Sequence, residues 1–272
     1  MRYGAMNNPM IDIFEEISIF SDMGFDFIDL TVEPEETYSG TINPDKIVNA
    51  LEKAGLGVVG HTAWYIPIAS PFPEFRELAI KELQRCMQVC KDVGATKMNL
   101  HPHIKAPLHT EEWIIAQNTD ALARLVDIAN EIGVTILLEN MPNFSRVSQM
   151  KPILDAVPEA QLLLDVGHVN LETPYNRSEE LLANFGHRLG HLHVSDNRGG
   201  HDDLHLPLGV GNVNWLNFVR AVKNTGYDDT ITIEVFGDDD DYLLMSRDKI
   251  KYLWDNTEPG EQLTDMGHTK MS

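Results

Sequence analysis

The chain has little that would tie it to a membrane, an oxidising compartment or a polyanion. Its 272 residues include two cysteines, Cys86 and Cys90, and no apolar run approaches the roughly 18 residues of a membrane span. No basic segment leads into an apolar stretch at the N-terminus, so neither anchor nor signal peptide is expected and a cytoplasmic location follows. The cysteines lie four apart in helical phase with Ala79, Leu83 and Met87, which reads as one buried helix face, not a disulfide or thiol metal site. Basic residues are scarce: 21 Lys and Arg stand against 42 Asp and Glu, a formal net charge of −21. A nucleic-acid-binding domain shows the opposite footprint, because cationic side chains that displace counterions from phosphates supply most of its affinity. No Gly-x-Gly-x-x-Gly follows the first apolar run, which removes the phosphate turn expected of an open, doubly wound nucleotide-binding sheet. No linker interrupts the chain.

What is present is one repeated rhythm. Helical periodicity appears at Ile13, Ile17 and Phe20, at Ile47, Leu51 and Ala54, at Leu83, Cys86 and Cys90, and at Leu122, Leu125, Val126 and Ala129. These patterns stop at Gly24, Gly55, Gly94 and Gly133, and a later one at Gly226, where a left-handed C-terminal cap favours glycine. A strand follows each glycine. The strands are apolar on consecutive residues, as in a parallel sheet covered on both faces. With the opening RYGAM and the FDFIDLTVE run there are eight, ending near residues 6, 33, 61, 101, 139, 165, 195 and 236. Eight strands alternating with helices, at this length, predict an α/β fold: a single (β/α)8 TIM barrel over 1–255 with a polar tail over 256–272.

The apolar runs also keep ending in metal-ligand side chains: GVVGHT in His61, TKMNLHP in His101, VTILLEN in Glu139, QLLLDVGH in Asp165, GHLHVSD in His193 and TITIEVF in Glu234. In a barrel the carboxyl ends of all strands ring one mouth, so these residues converge. A lone histidine at a strand end is ordinarily a hydrogen-bonded core or rim residue. Six ionisable groups in phase are another matter, because burying them without a cation or partner costs several kcal/mol each. The three carboxylates and one imidazole of Glu139, Asp165, His193 and Glu234 form a hard donor set suited to divalent manganese, zinc, magnesium or cobalt.

Asp165 and His168 are three apart in DVGH, and HDDLHLPLGVGNVNW places Asp203 and His205 two apart before a Gly-x-Gly turn. Singly these read as loop residues capping backbone groups; with His168 they form a further donor set. Trp64 and Tyr65, in HTAWYIP, either stack on a substrate or pack beneath a loop. Glu33 closes the second strand and reaches either substrate hydroxyls or a rim salt bridge. The run GDDDDY after Glu234 suits the start of a last helix and puts Asp238 to Asp241 where a DNA backbone would dock. The cations assigned to the mouth loops, Arg76, Lys105, Arg146, Lys151, Arg177 and Arg198, are scattered among acids.

Taken in order, His61, HPH at His101, EN at Glu139, DxGH at Asp165 and His168, HxxD at His193, DxH at Asp203 and His205, LGxG, and IE at Glu234 resemble the xylose-isomerase-like TIM barrel superfamily, over about residues 20 to 240. That superfamily joins sugar isomerases and epimerases to the family 2 apurinic endonucleases, of which endonuclease IV is the type. The epimerase branch implies one metal on Glu139, Asp165, His193 and Glu234, with Glu139 and Glu234 as catalytic acid/base groups on opposite faces of the sugar. It also implies that His168 and Arg198 contact sugar oxygens near the reacting carbons. The endonuclease branch implies three zinc ions: one on His61, His101 and Glu139, one on Glu139, Asp165, His193 and Glu234, and one on His168, Asp203 and His205. All nine positions are filled.

Charge favours the first branch, because a small sugar, with or without a phosphate, needs only one or two of the scattered cations. The expectation is therefore a metal-dependent sugar or sugar phosphate isomerase or epimerase that removes a proton alpha to a carbonyl through an enediolate. The alternative is a trinuclear zinc phosphodiesterase acting on abasic DNA, and a metal-dependent lyase or dehydratase on the same scaffold is a third reading. The expected partner is a small sugar, with no membrane and no nucleic acid, and the resemblance implies a homo-oligomer.

Overall fold

The helices begin and end on the residues that favour such ends. In the computed structural model, which describes residues 1–237 and 239–260, the Asn43 side chain accepts from the Lys46 amide at the start of one helix and Thr110 accepts from Trp113 at the start of another. Each such cap satisfies an otherwise orphaned donor, worth about 1 kcal/mol. The same two helices close on Gly55 (φ 70°) and Gly133 (φ 86°), a left-handed conformation that glycine adopts without Cβ strain. Asp238 and the part of the expected polar tail from 261 to 272 lie outside the described residues.

The elements run β1 (Arg2–Met6), α1 (Ile13–Asp22), β2 (Phe27–Val32), α2 (Pro44–Ala54), β3 (Gly57–Thr62), α3 (Pro73–Asp92), β4 (Lys97–Leu100), α4 (Glu111–Ile132), β5 (Thr135–Glu139), α5 (Val147–Ala156), β6 (Gln161–Asp165), α6 (Ser178–Phe185), β7 (Leu189–Val194), α7 (Trp215–Asn224), β8 (Thr230–Ile233) and α8 (Asp241–Asn256). The strands follow one another in sequence order round a closed barrel, β1 to β8. This is the (β/α)8 barrel that the glycine-punctuated rhythm predicts. All six residues of β2 are buried, as a strand covered on both faces requires.

Packing groups the chain into two compact units. One comprises Gly4–Glu139 and Ser148–Gln161. Within it β2 and β3 pair in parallel from Phe27 opposite Gly57 to Val32 opposite Thr62, and β4 and β5 from Lys97 opposite Thr135 to Leu100 opposite Leu138. The second register carries His101 and Glu139 out at matching strand ends. Cys86 and Cys90 are fully buried on α3, the helix face read from their spacing. Helix α3 lies so close to β3 that a Cβ on Gly60 would come within 2.3 Å of Cys90 Sγ.

The other unit comprises Met1–Tyr3, Asn140–Val147 and the described residues from Leu162 onward. Here Asp165 of β6 pairs with His193 of β7, and Val194 with Ile233 of β8. His191, two residues before His193, is an ordinary core histidine: its ring nitrogens meet the Thr230 and Thr232 hydroxyls at 2.7 and 2.9 Å.

Three local expectations need correction. Strand β8 stops at Ile233 instead of near 236, so Glu234 heads the loop. Lys151 is not on a mouth loop: it lies inside α5 and pairs with Asp155 at 2.8 Å. Arg76 is in the first turn of α3, its Nη1 donating to the Ser70 carbonyl at 2.6 Å. Among the described residues no helix is long and apolar enough to cross a membrane.

Candidate metal centre and active site

In the unit built on Gly4–Glu139, three strand ends bring together His61, His101 and Glu139, whose ligand atoms lie within 4.8 Å of one another. All three are buried, and His101 Nε2 stands 3.0 Å from Glu139 Oε2. The two imidazoles lie 5.2 Å apart, tilted by 31°. Asn99, two residues before His101, donates its amide to the same Glu139 oxygen and so fixes that carboxylate. His101 Nδ1 is buried with no hydrogen-bond partner, which marks the site as built for more than internal pairing.

The rim of this unit holds the aromatic pair read from HTAWYIP. Trp64 and Tyr65 are about half exposed and meet edge to face at 5.9 Å. Lys105 places its ammonium 4.2 Å from the Trp64 ring centre, an exposed cation–π contact worth about 0.5–1 kcal/mol. The Tyr65 hydroxyl donates to Glu33, so Glu33 is engaged at the rim; burial first and then the Glu33 carboxylate push the phenol up to about 12.

In the other unit Asp165 at the end of β6, His193 on β7 and Glu234 just after β8 form a second group with ligand atoms within 4.8 Å of one another. Asp165 and His193 are completely buried, and Glu234 is 6% exposed. His193 Nδ1 lies 3.3 Å from Glu234 Oε2. Asn140 holds Asp165 in place through its backbone: Oδ1 accepts from the Asp165 amide and Nδ2 donates to the Asp165 carbonyl, each at 3.0 Å. Gly167 keeps the loop tight, since a Cβ there would meet Ser195 Oγ at 2.7 Å and Asp165 Oδ1 at 3.2 Å.

A third group, His168, Asp203 and His205, lies in the same unit. His168 Nδ1 faces the Asn140 carbonyl at 2.9 Å, and His205 Nδ1 faces the Glu234 carbonyl at 2.9 Å. A carbonyl only accepts, so both Nδ1 atoms carry the proton and both Nε2 atoms are turned to one carboxylate oxygen, Asp203 Oδ2, at 3.0 and 3.2 Å. This outer arrangement is how proteins aim imidazole Nε2 atoms at a cation. Burial alone would pull the His205 imidazole down, but the Glu234 and Asp203 carboxylates outweigh it and raise it to about 9. Burial would raise Asp203, whereas hydrogen bonds from the two histidines hold it well below the usual carboxylate range. His205 has a φ of 43°, uncommon for a residue with a Cβ, and its ring lies 4.5 Å from that of Phe236.

The nine residues expected as metal ligands thus fall into groups of carboxylates and imidazoles, eight of them buried or half-buried and Asp203 exposed, a donor chemistry that fits a divalent cation. Arg198 is exposed on the loop after β7. Sequence reasoning assigned no role to Asn99, Asn140 or Asp196, although EN and HxxD contain the last two. The available signal was a short polar residue within three positions of a ligand.

The chain matches the model of the xylose isomerase-like TIM barrel over residues 17–256. Among curated proteins it is 32% identical over 177 residues to an uncharacterized protein of Methanocaldococcus jannaschii, covering 61% of this chain and 59% of that one. It is 33% identical over 128 residues to an L-ribulose 3-epimerase of Methylomonas sp., covering 44% and 42%, and 26% identical over 228 residues to a probable endonuclease 4 of Ureaplasma parvum, covering 72% of each. The first two matches span less than two thirds of those relatives' length. Among solved structures, a D-tagatose 3-epimerase-like protein superposes with a TM-score of 0.83 at 25% identity, covering 94% of this chain and 97% of that one.

Proposed function

The chain belongs to the xylose isomerase-like TIM barrel family, and from that premise we propose that it is a divalent-metal-dependent sugar isomerase or epimerase. The observation that carries the reading is the buried strand-end set of Asp165, His193 and Glu234, with Glu139 at the end of β5 as fourth ligand by the family resemblance. Likeness along nearly the whole chain to a 3-epimerase-like structure and the partial match to an L-ribulose 3-epimerase support the sugar class.

A proton alpha to a carbonyl is very weakly acidic, so its removal needs a positioned base and stabilisation of the oxygen that gains charge. A bound manganese, zinc, magnesium or cobalt ion supplies that stabilisation as a Lewis acid. In this reading one of Glu139 and Glu234 takes the proton and the other returns it, to the opposite face of the same carbon in an epimerase or to the neighbouring carbon in an isomerase. His168 and Arg198 hold the sugar oxygens near the reacting carbons, while Trp64 and Glu33 lie on the rim that meets the substrate.

A second reading, a three-zinc phosphodiesterase on abasic DNA, draws support from the His61–His101–Glu139 and His168–Asp203–His205 groups and from the endonuclease 4 match. The net charge of −21 and the acids after Glu234 oppose it.

The test is solvent exchange. The protein, loaded in turn with each of the four metals, is incubated in deuterated water with a panel of ketopentoses, ketohexoses and their phosphates, and proton NMR follows the carbon next to the carbonyl. Deuterium entering at that carbon of at least one sugar supports the proposal. No exchange with any sugar, together with cleavage of an abasic duplex at moderate salt, overturns it.

A further inference from the structure

The Gly-x-Gly turn after His205 belongs to none of the three donor groups, yet its geometry explains how one of them is held. Apart from one isolated bridge, residues 195–214 contain no helix or strand, and a connection of that length keeps its shape only if something inside it fixes the backbone. That fixed point is Asp196. It is completely buried, and its carboxylate accepts four hydrogen bonds. Oδ1 takes the amides of Asn197 (2.9 Å) and Val213 (3.2 Å), and Oδ2 takes the Gly209 amide (2.7 Å) and the Trp215 indole (2.9 Å).

Around this carboxylate the backbone is threaded with no room for side chains. A Cβ on Gly211 would lie 2.1 Å from the Asn197 carbonyl and 2.2 Å from Asp196 Oδ1, and Gly209 has a φ of 92°. The Asp196 and Leu206 backbones exchange both hydrogen bonds at 2.8 Å. His205 immediately precedes Leu206 and carries the left-handed φ of 43°. A backbone in that region persists only where its surroundings over-determine it, and the Asp196 clasp supplies the determination on one side while the Glu234 carbonyl supplies it on the other.

We propose that Asp196 is a positioning residue: through Leu206 it seats His205 and Asp203 opposite His168 and thereby controls whether that group takes a divalent cation. The proposal rests on the second reading's assignment of a metal to the His168–Asp203–His205 group and not on the sugar reading, in which His168 meets a sugar oxygen, and its readouts do not involve turnover. Asp196→Asn preserves shape while turning an amide NH2 toward two N–H donors, so half of the clasp cannot form.

The experiment uses the full chain, 15N-labelled and stripped of metal. The Nδ1–H of His205, bonded to the Glu234 carbonyl, reports the loop, and the His191 ring N–H between Thr230 and Thr232 serves as internal control. In Asp196→Asn, water exchange at His205 quickens by about tenfold or more while His191 keeps its wild-type rate, the signature of local and not global opening. Zinc titrated into the metal-free protein binds with affinity lowered by about 10- to 100-fold for part of the isotherm, matching His205→Ala and departing from wild type. Should Asp196→Asn lose both ring signals through collapse of the fold, Trp215→Phe decides, since it removes one of the four donors and leaves an aromatic, if smaller, ring in place. It quickens His205 exchange about fivefold, one hydrogen bond's worth, and leaves His191 alone. Unchanged His205 exchange in a folded variant, or a zinc isotherm identical to wild type in Asp196→Asn, overturns the proposal.

Discussion

Replacing Gly60 by alanine tests how closely α3 is pressed onto the strand that carries His61. The added Cβ would lie 2.3 Å from Cys90 Sγ, 3.2 Å from Cys90 Cβ and 3.3 Å from the Lys97 carbonyl. Carbon contacts are most favourable near 3.5–4.0 Å, so the strand and helix must part by about 1 Å or Cys90 must leave its rotamer. Overpacking of this kind costs about 1–3 kcal/mol, which at about 2–4 °C per kcal/mol for a domain near this size lowers Tm by about 2–12 °C. The attribution to sulfur is tested by Cys90→Ala, which removes the 2.3 Å clash and leaves only the two near 3.2–3.3 Å. The double variant is therefore more stable than the sum of the single effects by about 1–2 kcal/mol, within the range seen for residues in contact. Urea unfolding of all four proteins in chelator, compared at equal m-value, gives the cycle. Additive single effects, or Gly60→Ala as stable as wild type, would refute the close approach.

Other outcomes follow from the buried charge. Metal-free protein should gain about 2.7 kcal/mol when a bound divalent ion is present at a hundred times its Kd. That is a rise of about 5–10 °C in Tm. Asp165→Asn or Glu234→Gln removes most of the gain in a thermal-shift assay, and no shift with manganese, zinc, magnesium or cobalt contradicts the metal reading. Burial raises the Glu16 carboxyl to about 7 from 4.5, against the opposing bonds from the Asn8 amide. A group whose folded pKa is raised contributes stability that is complete below its unfolded value, here about 4.5, and that is lost as pH rises through about 7. Wild type should therefore lose stability relative to Glu16→Gln across that window, and urea midpoints that run parallel would contradict it. Glu139→Gln and Glu234→Gln should each cut proton exchange into a sugar substrate by about 10²–10⁴-fold while far-UV circular dichroism stays unchanged. Retention of wild-type exchange in either variant removes it from the acid/base role.

The barrel was legible because its signals are short-range. Gly55 and Gly133 end helices by their own conformational freedom, and consecutive apolar residues such as Leu162, Leu163 and Leu164 of β6 call for cover on both faces. Ligands on strand ends were legible for the same reason: His61, Glu139 and Asp165 each close an apolar run. Helix α5 gave a weaker signal because Pro152 lies inside it. Helix α6 has only eight residues, too few to show a period. Lys151 was placed on a mouth loop because the helix around it, α5, had not been read from the sequence. His191 and His193 look alike in GHLHV, yet one is a satisfied core residue and the other joins a donor group; the Thr230 and Thr232 hydroxyls that make the difference lie about forty residues away. The role of Asp196 was hidden for a similar reason, because its four donors come from residues 197 to 215 and only the folded loop brings them to one carboxylate.

The central claim is that Glu139, Asp165, His193 and Glu234 together hold a divalent metal for sugar chemistry. Anomalous scattering at the manganese edge, from crystals of metal-free protein soaked in manganese, tests it most directly. The account predicts a dominant peak ligated by those four side chains, with any density at His168, Asp203 and His205 weaker. A peak confined to His61 and His101, or no ordered metal in a crystal that diffracts well, would contradict it.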